Sequence, residues 1–217
     1  RIRGSYSPRQ SRHSLKQSLL MRSTPSISIP GCGFRRVGLF GGAFNPIHLG
    51  HLSVARCARD QVVLDAILFI PTGDPPHKPS HSLAPAIHRL AMVRLAIEGE
   101  PTFAVSDFEV RRSAKSYSID TVTALREQYG PSVQLYFIIG LDAFLDIGSW
   151  NRPQELLQAC HFIVVGRPGQ SFGSLAQVSL LPLTSLESVS QLDAGVLQCI
   201  QLPLFSETTL TVLRGPA

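Results

Sequence analysis

A chain of 217 residues, 44% of them hydrophobic, can bury the core of one globular domain without disulfide or metal staples. Its four cysteines, Cys32, Cys57, Cys160 and Cys199, are widely spaced and form no C-x-x-C pair, which excludes a zinc ribbon or disulfide scaffold and fits a reducing, cytoplasmic setting. The net charge of +5 does not signal a nucleic-acid-binding domain, because eight of the 20 Lys and Arg fall in the first 36 residues, which hold no Asp or Glu, and the rest of the chain carries 12 basic against 15 acidic residues.

Residues 1–36, rich in Ser and Arg and without apolar periodicity, are expected to be disordered. Three readings compete for them: sequence translated ahead of a start at Met21, an organelle-type transit peptide, or a nucleic-acid-binding arm. The first is preferred because the chain opens on Arg. Downstream, short apolar runs predict strands at Val37 to Phe40, Ala66 to Ile70, Phe103 to Val105, Val133 to Ile139 and Phe162 to Val165. Helical spacing predicts helices at His48 to Val62, Ala86 to Glu98, Ser118 to Gln128 and Pro153 to Gln158. That alternation is the pattern of an α/β fold, a Rossmann-like parallel sheet with helices on both faces. Beyond Gly169 the stretch is Ser- and Leu-rich, with a weak helical signal and a short strand expected at Cys199 to Leu204. The expected organisation is a basic tail at 1–36, a core at 37–170 and an atypical, shortened C-terminal segment at 171–217. No run approaches the ~18 apolar residues of a membrane span, so no membrane partner is expected.

The stretch GLFGGAFNPIHLGH, Gly38 to His51, falls between the first strand and the first helix, where a parallel sheet binds ligands. It matches neither the G-x-G-x-x-G fingerprint nor the phosphate loop ending in Gly-Lys-Ser/Thr. Gly41 and Gly42 allow close backbone approach of a ligand, and Pro46 stiffens the turn. His48 and His51, at i and i+3, face the same way at a helix N-terminus already disposed to an anion. Taken singly, a glycine pair is more often a tight turn, and His-x-x-His more often a cap or surface pair. Together they suit a phosphate site. A metal site is disfavoured because no carboxylate or thiol lies near in sequence.

GGAFNPIHLGH resembles the G-G-x-F-x-P-x-H-x-G-H signature of nucleotidyltransferases with a His-x-Gly-His motif. Further blocks, ILFIPTGDPPHKP, HRLAMVRLAI, DFEVRRSAKSYSIDTV, FIIGLDAFLDIGSWNRPQELL and HFIVVGRPG, make the chain most similar to the bacterial nicotinate-nucleotide adenylyltransferases over about Val37 to Gly169. The resemblance implies transfer of AMP from ATP to nicotinate mononucleotide, giving deamido-NAD and pyrophosphate in NAD biosynthesis, with Mg2+ carried by the ATP. It implies that His48, His51 and Lys78 are catalytic. Gly41, Gly42, Phe44, His48, His51, Asp142 and Arg214 would meet ATP, and Asn45, Lys78, Ser118, Trp150 and Arg112 the second substrate. Read locally, Lys78 is equally a surface lysine, Asp142 a helix N-cap, Trp150 a core residue, and Arg89 and Arg112 either phosphate partners or solvated charges.

Two departures stand out. Position 43 is Ala where the family has Thr or Ser, and the family's Ile-Ser-Ser-Thr-x-Ile-Arg is replaced by PLFSETTLTVLRGPA, in which Thr211 to Arg214 keep a Thr-x-apolar-Arg pattern or, in another register, Ser206 and Thr208 keep hydroxyls. The alternatives are an adenylyltransferase for nicotinamide mononucleotide or phosphopantetheine, and a nucleotide-binding fragment with impaired turnover. The sequence leaves the oligomeric state open.

Overall fold

The apolar runs lie side by side in the computed structural model, which describes residues 33, 35–74, 83–181, 199–205 and 207–215. Seven strands, β1 (Arg36–Gly42), β2 (Ala66–Pro71), β3 (Phe103–Val105), β4 (Gln134–Gly140), β5 (His161–Gly166), β6 (Cys199–Phe205) and β7 (Thr208–Arg214), form one sheet in the order β3-β2-β1-β4-β5-β7-β6. Every pairing is parallel except β6 with β7. The strand order reverses between β1 and β4, and the crevice at their carboxyl ends is the natural ligand site of such a sheet.

The two-residue period of the strands sends alternate side chains to two cores. Val37, Leu39, Leu68, Ile70, Leu135, Phe137 and Ile139 pack on one face against α4 (Ser118–Tyr129), α5 (Leu141–Leu145) and α6 (Pro153–Ala159). Phe40, Ile67, Phe69, Tyr136 and Ile138 pack on the other against α1 (Leu49–Val62) and α2 (Ala86–Ala96). Helix α1 buries Leu52, Ala55, Ala58 and Val62, an apolar stripe at helical spacing. Gly38 lies under this second layer, where an added Cβ would sit 2.6 Å from Ile67 Cδ1.

The five strands and four helices expected for the core are present, within a few residues of the expected limits. The sequence reading lacked the short α3 (Phe108–Arg111), α5 and strand β7. The segment expected to be an atypical appendage instead extends the same sheet, with β7 hydrogen-bonded to β5 and β6 forming the antiparallel edge. The expected helix after Gly169 is a 3-10 helix at Phe172–Gln177, and residues 182–198 lie outside the described set, as does most of the basic tail. The tail's last residue, Arg36, belongs to β1, and the backbone N–H groups of Arg35 and Arg36 both donate to Asp65 Oδ2 at 2.8 Å. Among the described residues no helix is long and apolar enough to cross a membrane.

Arg89, on the first turn of α2, ties the elements at the crevice together. The sequence reads it as a phosphate partner or a solvated charge. The structure leaves it only 1% exposed, and its guanidinium donates to four main-chain carbonyls. Nε reaches Ala84 O at 2.9 Å, Nη1 reaches Ala43 O at 2.7 Å, and Nη2 reaches Thr72 O at 2.7 Å and Gly73 O at 3.1 Å. Those oxygens belong to the β1–α1 turn, the end of β2 and the approach to α2. Gly73 is packed from its other side as well: an added Cβ would fall 2.2 Å from the main-chain oxygen of Glu109.

Gly73→Ala therefore has to displace backbone rather than a side-chain end, and it should cost about 3 kcal/mol, at the upper end of overpacking. Gly140→Ala, where nothing lies within 4 Å of the added methyl, should stay within about 0.5 kcal/mol of the parent. Arg89→Met strips the four carbonyls of their donor and should cost about 4 kcal/mol. Urea unfolding of the three variants checks this ranking.

Candidate active site

The carboxyl ends of β1 and β4 open into a cavity of about 400 Å³. Gly41, Gly42 and Ala43 form its β1 edge, Ile70 and Thr72 its β2 edge, and Ile139, Gly140 and Ala143 its β4–α5 edge. Glu109, Ser116, Tyr117 and Ser118 form one wall, and Asp146, Trp150 and Asn151 the other. The lining is mostly apolar with a few convergent polar groups, the usual make-up of a small-molecule site.

The β1–α1 turn carries the two histidines. Phe44 has a φ of 45° and is 2% exposed, so its ring lies beneath the turn rather than on the ligand surface. That ring packs edge-on against His51, with centroids 5.1 Å apart, and against Phe40 at 5.6 Å. Gly42 leaves room for it, since a Cβ there would meet the ring at 3.2 Å. Asn45 Oδ1 accepts the Ala84 N–H at 3.0 Å, a second tie between this turn and the approach to α2.

His48 is the N-cap of α1 and is exposed; His51 stands one turn on, half-buried, its ring 3.9 Å from that of His48. The His48 backbone N–H donates to His51 Nδ1 at 3.3 Å. With Nδ1 accepting, the proton of the neutral ring is on Nε2, which is then free to donate outward. Burial, and secondarily the neighbouring His48, push the His51 pKa down to about 4, so the ring is neutral at physiological pH.

Of the other expected residues, Gly41, Gly42, Ser118 and Trp150 line the cavity. Ser118 opens α4, and Trp150 stands edge-on to Phe137 at 6.2 Å, partly packed on the core and partly facing the cavity. Asp142 is exposed on the first turn of α5, and its Oδ1 accepts from Gln170 Nε2 at 2.7 Å. Arg214, at the end of β7, donates from Nη1 to Gln170 O at 3.4 Å and lies over the Phe172 ring at 5.4 Å, so Gln170 bridges the two. Arg112 is beside the cavity rather than in its lining, 3.7 Å from Asp120 Oδ2. Lys78 lies outside the described residues.

Thr211, the other end of the Thr-x-apolar-Arg pattern, is fully buried in β7, and its hydroxyl has no hydrogen-bond partner among the described residues. Glu109 was not singled out from the sequence at all. It is 7% exposed, its Oε1 accepts from Thr121 Oγ1 at 2.8 Å, and burial raises its pKa against the opposing hydrogen bonds and the nearby Arg112. The DFEV run in which it stands has no local feature that separates a buried carboxyl from a surface one. Among the described residues no group of three or more His, Cys, Asp or Glu could hold a metal ion.

The cytidylyltransferase-like family model matches residues 39–200. A relative from Pelobacter propionicus, named "Probable nicotinate-nucleotide adenylyltransferase", is 49% identical over 148 residues, which is 68% of this chain and 67% of that protein. Relatives of the same name from Geobacter sulfurreducens and Synechococcus sp. (strain JA-3-3Ab) are 45% and 44% identical, over 69% and 80% of their lengths. The matched part thus spans about two thirds of the Pelobacter and Geobacter proteins. The nicotinic acid mononucleotide adenylyltransferase of Plasmodium falciparum, solved with APC, superposes with a TM-score of 0.57 at 20% identity, covering 84% of this chain and 76% of that one. Its complex with NaAD gives 0.58 at 18% identity, covering 72% and 89%. At these identities the superpositions establish the fold, and the sequence relatives establish the narrower kinship: the chain belongs to the cytidylyltransferase-like family and, within it, to the nicotinate-nucleotide adenylyltransferases.

Proposed function

We propose that this chain joins ATP and nicotinate mononucleotide to give deamido-NAD and pyrophosphate, the cavity holding the pyridine nucleotide and the β1–α1 turn the triphosphate. The observation that carries this reading is the pairing of two unlike halves at one strand-order reversal. A glycine-lined turn with two histidines stands beside an apolar cavity with an aromatic wall.

The 5′-phosphate of the mononucleotide, with a second pKa near 6, is largely dianionic at neutral pH and needs no protein base. One of its oxygens attacks the α-phosphorus of ATP, the new P–O bond forms, the bond to the β-phosphate oxygen breaks, and pyrophosphate leaves with the electron pair. The protein's task is in-line placement and stabilisation of that leaving group. Nε2–H of His51 donates to a triphosphate oxygen without carrying charge of its own, and His48 flanks it at the positive end of α1. Gly41 and Gly42 admit the nucleotide to the backbone, and Asp142 meets the adenosine ribose. Trp150 stacks on the pyridine ring, and Ser118 and Arg112 serve the same substrate. Arg214 faces the ATP side through Gln170. Lys78 supplies a further charge for phosphate.

Magnesium would arrive with the nucleotide as MgATP and would supply charge neutralisation on the triphosphate. The free thiols Cys57 and Cys160 are at home in the reducing cytoplasm.

Purified protein given MgATP and either nicotinate or nicotinamide mononucleotide, with product masses and pyrophosphate followed, should form deamido-NAD faster than NAD; no dinucleotide from either substrate overturns the assignment. His51→Ala should lower kcat by about 10²-fold while the KM for ATP moves far less, as for loss of one transition-state donor. An unchanged kcat removes His51 from the reaction. The depressed His51 pKa also fixes a sign for stability. Between about 4 and the ordinary value of 6.5 the unfolded chain binds a proton that the folded one refuses, so stability rises with pH across this window and levels off above it. Thermal unfolding from pH 4.5 to 7.5 should show that slope, and His51→Gln should reduce it, leaving the same-signed contribution of His161, whose pKa is likewise lowered by burial and by Arg36, and the opposing one of Glu109, whose pKa burial raises.

A further inference from the structure

Asp120 links the two walls of the cavity. It lies on α4 two residues after Ser118, and Arg152 lies two residues after Trp150 at the N-cap of α6. Asp120 Oδ1 accepts from Arg152 Nη2, and Asp120 Oδ2 faces Arg112 Nη2 at 3.7 Å, so each carboxylate oxygen has its own guanidinium. Both arginines are steadied elsewhere. Arg112 lies over the Phe108 ring at 5.5 Å, and Arg152 also reaches Glu155 Oε2 at 3.2 Å and Asn151 Oδ1 at 3.3 Å.

We infer that Asp120, gripped between Arg112 and Arg152, is a positioning residue that fixes the spacing between the Ser118 and Trp150 walls and thereby sets the affinity for the pyridine nucleotide. The inference rests on the reading of this cavity as the pyridine-nucleotide site. Arg152 has a φ of 47°, a left-handed conformation that a non-glycine residue adopts only when its surroundings hold it. The turn from Trp150 to Pro153 is thus held in a sharp bend, and the ion pair to Asp120 is the contact that joins it to α4. Asp120 and Arg152 are both partly exposed and outside the apolar core, so their replacement should leave the fold intact. The effect falls on one substrate because the histidines belong to the β1–α1 turn, which Arg89 ties down through Ala43 O independently of Asp120.

Trp150 is the chain's sole tryptophan and reports on its own wall. Acrylamide quenching of its fluorescence, without ligand, should increase in Arg152→Met and in Asp120→Asn and stay near the parent in Arg152→Lys. The Kd of nicotinate mononucleotide, read from the same fluorescence, and its KM should rise roughly fivefold, the scale of a partly exposed ion pair, while the KM for ATP holds within about twofold. The double variant Arg152→Met with Asp120→Asn should be no worse than Asp120→Asn alone, because the two residues act through one contact. Unchanged quenching in both single variants, or an equal rise in the KM of both substrates, overturns the clasp. If the parent neither binds nor converts nicotinate mononucleotide, the functional reading fails, and the quenching still decides whether Asp120 holds the walls.

Discussion

A guanidinium closed off from water is tolerable only if nearly all of its donors find acceptors, and that constraint organises the crevice. Arg89 meets it with four carbonyls drawn from three places in the chain. The planar fork of arginine can span Ala43, Thr72 and Ala84 together, whereas a lysine offers a point charge with no fixed fan of donors. Carbonyls at loop edges would otherwise need water, and water there would loosen the turn that carries the histidines. Glu109 works from the other side of the same peptide, its backbone oxygen pressed against Gly73 and its carboxyl tied to Thr121 on α4. Arg89 and Glu109 thus flank one short segment, and their contacts tie the β1, β2 and α4 edges of the cavity together.

On that frame the chemistry requires little side-chain participation. A dianionic nucleophile and a good leaving group leave the protein the tasks of alignment and charge dispersal, and neutral donors serve both. The fall in the His51 pKa follows from its place under the turn: the Phe44 ring at its edge and the His48 ring beside it both disfavour a proton. A left-handed Phe44 is what puts that ring there, and Gly42 is what lets it fit. The run from Gly41 to His51 therefore reads as one packed unit, in which the Phe44 ring helps to bury the histidine beside it.

The parts of this arrangement that are local in sequence were legible there. Strands β1 to β5 announce themselves as apolar runs, the glycine pair and His48 and His51 stand within fourteen residues, and Ser118 and Trp150 lie on blocks that resemble those of the family. Arg89 and Glu109 were not legible, because a buried charge is identified by its partners, and these partners are carbonyls and hydroxyls spread from Ala43 to Thr121. Strand β7 was missed for a related reason. Its TTLTVLR run alternates only from Thr209 to Val212, and Leu213 breaks the pattern because both faces of the strand are covered, which leaves too short a period to stand out.

The C-terminal pattern shows how the same residues change meaning with secondary structure. On a helix, Thr211 and Arg214 would stand three apart on one face, and hydroxyl and guanidinium could converge on one phosphate. On a strand, residues three apart point to opposite faces. Thr211 accordingly sits on the face that holds Leu213, with its hydroxyl sealed in the core, while Arg214 points to the face of Val212 and lies over Phe172. Their joint use on a triphosphate is geometrically excluded as long as β7 pairs with β5. What survives at this edge is the guanidinium alone, joined through Gln170 to the Asp142 carboxylate at the end of β4. Asp142, Gln170 and Arg214 thus form one hydrogen-bonded chain across the carboxyl ends of β4 and β7, while the Thr211 hydroxyl is shut away from that edge.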